Sequence, residues 1–220
     1  MGGGAETVLV TGASSGIGEE LAKIFAAEGH DLILVARSED KLEKLADQLA
    51  AEHEVAISVR PADLSKKGAA SRLAKSLERE GYPVDILVNN AGVLQHGAFV
   101  DMTPTDHQRM VQLNVVGLTD LLACFLPAMV ERGSGRVLNV ASIASFMPVP
   151  SLATYAATKA YVLSLGEALS EELRGSGVTI TTLCPGVTET NMVDKAMAES
   201  DGLKLPSMVI GDAAAVARDG

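Results

Sequence analysis

The chain has 220 residues, 47% of them aliphatic, aromatic or Cys, and a net charge of −10. That apolar content is enough for a large core, so disorder over most of the length is excluded, and so acidic a chain is repelled by phosphate backbones, which argues against nucleic acid as a partner. No apolar run approaches the roughly 18 residues that cross a bilayer, and 3% aromatics with no Trp leave neither a membrane belt nor a base-stacking platform.

In chain order, Thr7–Thr11 (TVLVT) reads as a short strand, and Gly16–Glu28 as a helix with Ile17, Leu21, Ile24 and Phe25 at helical spacing. Asp31–Ala36 (DLILVA) is a second strand. Ser38–Glu52 is a helix with a capping-type Ser at its start and Leu42, Leu45 and Leu49 on one face. Glu54–Arg60 is a third strand, and Asp63–Glu80 a helix aligning Leu73 and Leu77. Val84–Asn89 is a fourth strand, Thr103–Glu131 a long helix, Arg136–Val140 a fifth strand, Thr154–Arg174 a long helix and Val178–Leu183 a sixth strand. Strands alternating with helices indicate βαβ units and a parallel sheet, and nearly continuous apolar strands indicate a sheet covered on both faces. Right-handed crossovers then give an α/β, doubly wound, Rossmann-like sheet. With no linker, charge block or repeat, residues 1–220 are expected to form one domain.

Cys124 and Cys184 lie far apart in apolar surroundings and are expected to be buried small hydrophobes rather than a disulfide or a metal pair. No basic region or apolar leader opens the chain, so a cytoplasmic protein is expected.

Ligands of such a sheet sit beyond the carboxyl ends of the strands. Directly after the first strand come Gly12, Ser14, Ser15, Gly16, Ile17 and Gly18, opening a helix whose N-terminal amides suit a phosphate. The same glycines could serve a plain turn. An acidic residue at the tip of the second strand would bind a ribose 2′-hydroxyl, whereas this chain places Arg37 there, suited to a 2′-phosphate or to solvent. Asp63 follows the third strand and could cap the next helix or meet an adenine edge. Asn89, Asn90, Ala91 and Gly92 follow the fourth, as a turn or as a strand-holding, ligand-admitting segment.

Ser142 lies just past the fifth strand, and Tyr155 and Lys159, four residues apart on the next helix, share a face. Chance produces such pairs often. Here position favours chemistry: a Lys cation lowers the pKa of a nearby phenol, which can then exchange a proton with an alcohol oxygen that Ser142 also holds.

The segments TGASSGIG at 11–18 and NNAG at 89–92, with Asn114, Ser142, the Tyr155-x3-Lys159 pair and Pro185-Gly186, resemble in order and spacing the short-chain dehydrogenase/reductases, in their single-domain branch. The resemblance runs from the first strand to at least Thr190. It implies an oxidoreductase that transfers a hydride between NADP(H) and a carbonyl or alcohol. Gly12, Ser14, Ser15, Gly16, Ile17 and Gly18 would wrap the cofactor phosphates, and Ser14 and Arg37 would favour NADP over NAD. Asp63 and Leu64 would meet the adenine, and Asn90, Ala91 and Gly92 the adenosine ribose side. Tyr155 would be the general acid/base. Lys159 would bind the nicotinamide ribose as well as tune Tyr155, Ser142 would orient the carbonyl, and Asn114 would hold a relay water. Pro185, Gly186, Thr188 and Thr190 would cover the nicotinamide. No metal is implied.

A homodimer or homotetramer through the two long helices is implied as well. Family members usually continue with a further helix and a seventh strand, so the last strand is in question here. The other class of function is an NADP(H)-binding sensor without turnover, which would usually have lost Ser, Tyr or Lys. The substrate walls are expected from the segment after Gly92, where His96 could touch substrate, from Ser145–Leu152 and from 191–205, the last as a lid. Their apolar residues point to a hydrophobic small-molecule substrate.

Overall fold

The computed structural model describes residues 5–188 and 212–220. Six strands among them, β1 (Thr7–Thr11), β2 (Asp31–Ala36), β3 (Ile57–Pro61), β4 (Ile86–Asn89), β5 (Gly135–Val140) and β6 (Val178–Leu183), form one sheet in the spatial order β3-β2-β1-β4-β5-β6. Every pairing is parallel; Leu9, for example, sits opposite Ile33 on one side and Leu87 on the other. The order reverses between β1 and β4, which opens a crevice above their carboxyl ends.

Successive strand residues point to opposite faces, and both faces are covered. Leu9, Ile33, Leu87, Val137 and Ile180 pack beneath α3 (Ala69–Glu80), α5 (Leu118–Glu131) and α6 (Ala153–Glu172). Val8, Val10, Leu32, Leu34, Val88 and Leu138 pack beneath α1 (Gly16–Ala27), α2 (Glu39–Glu52) and α7 (Ala213–Asp219). Each fully buried Leu contributes roughly 2 kcal/mol of transfer free energy. Two covered faces explain strands that read as unbroken apolar runs.

Several elements depart from the expected bounds; β4, for one, begins at Ile86 rather than Val84. β3 begins at Ile57 rather than Glu54. The helix expected from Asp63 begins at Ala69, after Gly68 in the left-handed region at φ 73°. The carboxylate of Asp63 instead accepts hydrogen bonds from the amide and hydroxyl of Ser65 in the preceding turn, so it does not cap α3. The long helix 104–131 is not uniform. It runs as α4 (Pro104–Val111), a π-helical stretch Gln112–Gly117, and α5. Thr103 starts it with a reciprocal capping box to Asp106.

Taken whole, Pro104–Glu131 is long and apolar enough to cross a membrane by length and composition, contrary to the expectation that no run approaches that length. The fold gives that apolarity another use: Leu118, Leu121, Leu122, Phe125 and Met129 are buried against the sheet and α3.

Candidate active site

The crevice above β1 and β4 is built by backbone turns. After β1 the chain turns at Gly12, with φ 68°, and the Gly12 amide donates to Val35 O at 2.8 Å. Ser15 precedes α1 in an extended conformation and makes no side-chain cap, so the first amides of α1 keep their donors for another acceptor. A Cβ on Gly18 would stand 2.5 Å from Gly12 O and collide with the Asn90 amide. The turn therefore packs α1 against the tip of β4 with no room for a side chain. Asn90 Nδ2 donates to Thr11 O at 2.9 Å, and Thr11 Oγ1 accepts from the amides of Asn90 and Ala91. These bonds stitch the β1 and β4 tips together and hold Asn90, Ala91 and Gly92 over the turn.

Arg37 is exposed at the β2 tip and has no ion-pair partner among the described residues. Burial pushes the Asp63 carboxyl up, but the Ser65 hydrogen bonds and the Arg37 cation outweigh it, and its pKa lies below the usual value. Leu64 is buried next to it. A cleft of about 440 Å³ joins these residues to Gly12, Ser14–Ile17, Asn90–Gly92, Ser142, Tyr155, Lys159, Pro185, Gly186 and Thr188. The donor set fits a dinucleotide: open helix amides and a Cβ-free turn for the phosphates, and at the β2 tip a guanidinium with no ion-pair partner among the described residues. Thr190 and the 191–205 wall lie outside the described residues.

The reacting end is set by β5, β6 and α6. The amides of Ala141 and Ile143 donate to Leu183 O and Pro185 O, both at 2.8 Å, which holds Pro185-Gly186 beside Ser142. Ser142 Oγ accepts from the Ala144 amide as it caps the short turn Ile143–Phe146. Tyr155 and Lys159 face the same cleft from α6, at 8% and 6% exposure.

The expected tuning of Tyr155 by Lys159 is not what this geometry gives. Lys159 Nζ reaches past the ring, 5.9 Å from its centroid, and donates to Val140 O at 2.7 Å. Burial raises the Tyr155 pKa, and the Ser142 hydroxyl offsets this only in part. Burial likewise lowers Lys159 to about 8, with Cys184 pulling the other way. At neutral pH the phenol keeps its proton and the ammonium is mostly charged.

Asn114 sits in the π-helical stretch at 2% exposure. Its Oδ1 accepts from Val93 N at 2.8 Å, and its Nδ2 donates to Val93 O at 2.9 Å and to Thr158 Oγ1 at 3.0 Å. An Asn that is poor in a regular helix thus substitutes for a strand partner at the root of the loop after β4. Thr158, which also donates to Tyr155 O, was not anticipated, nor was the Val140 carbonyl. Thr158 lies between the Tyr and the Lys and could have been found there; a backbone carbonyl leaves no sequence signal. His96 lines the cleft, with Leu94, Leu113, Val149 and Leu152 as apolar walls. Cys124 and Cys184 are half-buried rather than fully buried, and burial raises both thiols. No cluster able to hold a metal occurs among the described residues.

The sequence model of the family described as short chain dehydrogenase matches residues 6–201. Oxidoreductase UcpA of Salmonella typhimurium is 36% identical over 197 residues, covering 89% of this chain and 74% of that one. A short-chain dehydrogenase from Sphingobium yanoikuyae, solved in complex with NADPH, superposes with a TM-score of 0.89 at 37% identity, covering 97% of this chain and 82% of that one. The bulky-bulky ketone specific alcohol dehydrogenase from Comamonas testosteroni superposes at 0.85 with 34% identity, covering 97% and 80%.

Proposed function

The chain is an oxidoreductase of the short-chain dehydrogenase family, and on that premise we propose that it interconverts a bulky apolar ketone and the corresponding alcohol with NADP(H). The observation that carries this reading is one cleft holding the helix-start turn and Arg37 at one end and Ser142, Tyr155 and Lys159 at the other. Arg37, with no carboxylate at the β2 tip and no ion-pair partner among the described residues, supports the 2′-phosphorylated cofactor. Apolar walls from Leu94, Leu113, Val149 and Leu152 support a hydrophobic substrate, as does the likeness to an enzyme described as specific for bulky-bulky ketones.

A bound nicotinamide would supply or accept the hydride. The chain's residues do the rest. Gly12, Ser14, Ser15, Gly16, Ile17 and Gly18 hold the phosphates, Asp63 and Leu64 meet the adenine, and Asn90, Ala91 and Gly92 flank the ribose. Pro185, Gly186 and Thr188 would border the nicotinamide. Ser142 hydrogen-bonds the carbonyl oxygen and orients it. Tyr155 Oη donates its proton to that oxygen in reduction and takes it back in oxidation. A phenol whose pKa is raised by burial holds that proton at neutral pH, which suits reduction. Lys159, mostly charged at neutral pH and donating to Val140 O, would hold the ribose hydroxyls of a bound cofactor. Asn114 fixes the loop root beside Lys159. Paired long helices would make a homodimer or homotetramer, for which Val116 and Tyr161 present exposed apolar surface; light scattering after size exclusion tests this.

The deciding experiment is a panel of ketones, aldehydes and alcohols run with NADPH or NADP and, separately, with NADH or NAD. Turnover of bulky apolar ketones with NADPH above NADH is the expected result. Tight NADPH binding with no oxidation by any carbonyl overturns the reading.

A further inference from the structure

The loop between β4 and α4 carries Val93, Leu94 and His96 into the cleft. Asn114 fixes its root, as described above. Its far part is tied to the segment that precedes α6. The Gly97 amide donates to Ser151 O at 2.9 Å, and Ser151 holds a left-handed backbone at φ 64°, the one non-Gly residue with positive φ among those described. Such a conformation is unfavourable for a side-chain-bearing residue and persists only where its surroundings impose it. Ser151 lies two residues before α6.

His107, on α4, completes the link. Its Nδ1 lies 2.7 Å from Thr154 Oγ1, its Nε2 lies 3.2 Å from Phe99 O, and its ring stacks on Phe99 at 4.2 Å between centroids. A carbonyl oxygen only accepts, so Nε2 carries the hydrogen; in a neutral ring Nδ1 then accepts, and Thr154 Oγ1 donates. One side chain therefore joins the loop, α4 and the first turn of α6 at the residue directly before Tyr155. Phe99 itself is 62% exposed, so the stack alone is a weak anchor and the two hydrogen bonds do the holding.

We propose that His107 is a positioning residue: through Phe99 and Thr154 it sets the distance between the apolar substrate wall at Val93–His96 and Tyr155. The inference rests on reading the Ser142–Tyr155 end of the cleft as the carbonyl site. It assigns His107 no contact with substrate or cofactor. Loosening the link lets the wall drift away from the acid, so substrate is held less well while the bound fraction still reacts.

Three variants of the full chain test it. His107→Phe keeps a ring on Phe99 and removes both hydrogen bonds. Thr154→Val removes the hydroxyl at near-constant shape. His107→Gln keeps a donor within reach of Phe99 O. Losing one or two such bonds is expected to raise KM for an accepted ketone roughly 3- to 10-fold in His107→Phe and Thr154→Val. Over the same variants kcat is expected to stay within about twofold and KM for NADPH not to move. His107→Gln is expected to recover part of the loss, and the double variant to be no worse than the worse single, because both remove the same link.

Amide hydrogen exchange supplies a readout that needs no turnover. Exchange across residues 94–102 is expected to speed up several-fold in His107→Phe, while peptides from β1 and α1 are unchanged. Unchanged exchange in both His107→Phe and Thr154→Val overturns the link. Faster exchange with unchanged ketone KM overturns the positioning role. Absence of turnover in the unmodified protein sinks the carbonyl-site reading and the positioning role that rests on it, while exchange still decides whether the link exists. If His107→Phe does not fold, Thr154→Val and His107→Gln decide by the same criteria.

Discussion

Tyr155 and Lys159 are moved by the same burial in opposite directions, because desolvation disfavours whichever form is charged. For Lys159, about 8 in the fold against 10.5 in the unfolded chain, the sign is fixed. Below about 8 both states hold the proton and the burial cost is felt in full. Between about 8 and 10.5 the unfolded chain binds more protons, so stability rises with pH, by on the order of 3 kcal/mol in all. Tyr155 acts against this above pH 10, where the unfolded phenol ionises first. Lys159→Met should therefore flatten the rise in Tm between neutral pH and about pH 9.5; an unaltered rise would show that burial does not depress the ammonium. Tyr155→Phe should lower kcat by roughly 100-fold or more with each accepted ketone while NADPH affinity stays within a few-fold. Arg37→Ala should weaken NADPH binding at least tenfold and NADH binding little, a charge-assisted contact being worth about 1.5–3 kcal/mol; titration calorimetry with both cofactors reads the difference.

At the scale of elements, the turn from β1 into α1 is the least forgiving. Gly18→Ala drives a methyl into Gly12 O and the Asn90 amide, both fixed by the β1–β4 stitching. Overpacking of this kind costs about 1–3 kcal/mol. A lower Tm together with weaker NADPH binding is expected, and a variant with unchanged Tm would mean that the turn yields. The expected helix spacing located α1, α2 and α6 within a residue or two, because each buries a stripe whose period shows in the chain. It could not locate the π-helical stretch at 112–117. A wide turn keeps the apolar period on both sides, and only the bonds from Asn114 to Val93 and Thr158 show why it is there. The early start given to α3 had a similar cause: Asp63 looks like a cap, but its carboxylate is engaged by Ser65.

For the whole molecule, a ligand that spans β1, β2, β4 and β5 at their tips binds only the folded sheet. NADPH at about 100 times its Kd should stabilise the fold by about 2.7 kcal/mol. Thermal unfolding should show a clear rise in Tm with NADPH and a smaller one with NADH at the same concentration; equal shifts would remove the argument from Arg37.

The sequence by itself determined the parallel sheet, its covered faces and the family, because strand and helix periods, strand-tip glycines and the Tyr155–Lys159 spacing are local patterns written along the chain. Tertiary structure alone decided which way the two pKa values move, where Lys159 Nζ points and that His107 meets both Phe99 and Thr154. Desolvation depends on every atom packed around a group. A hydrogen bond between residues 47 apart depends on how two helices and a loop come together, and neither leaves a mark on the neighbouring letters.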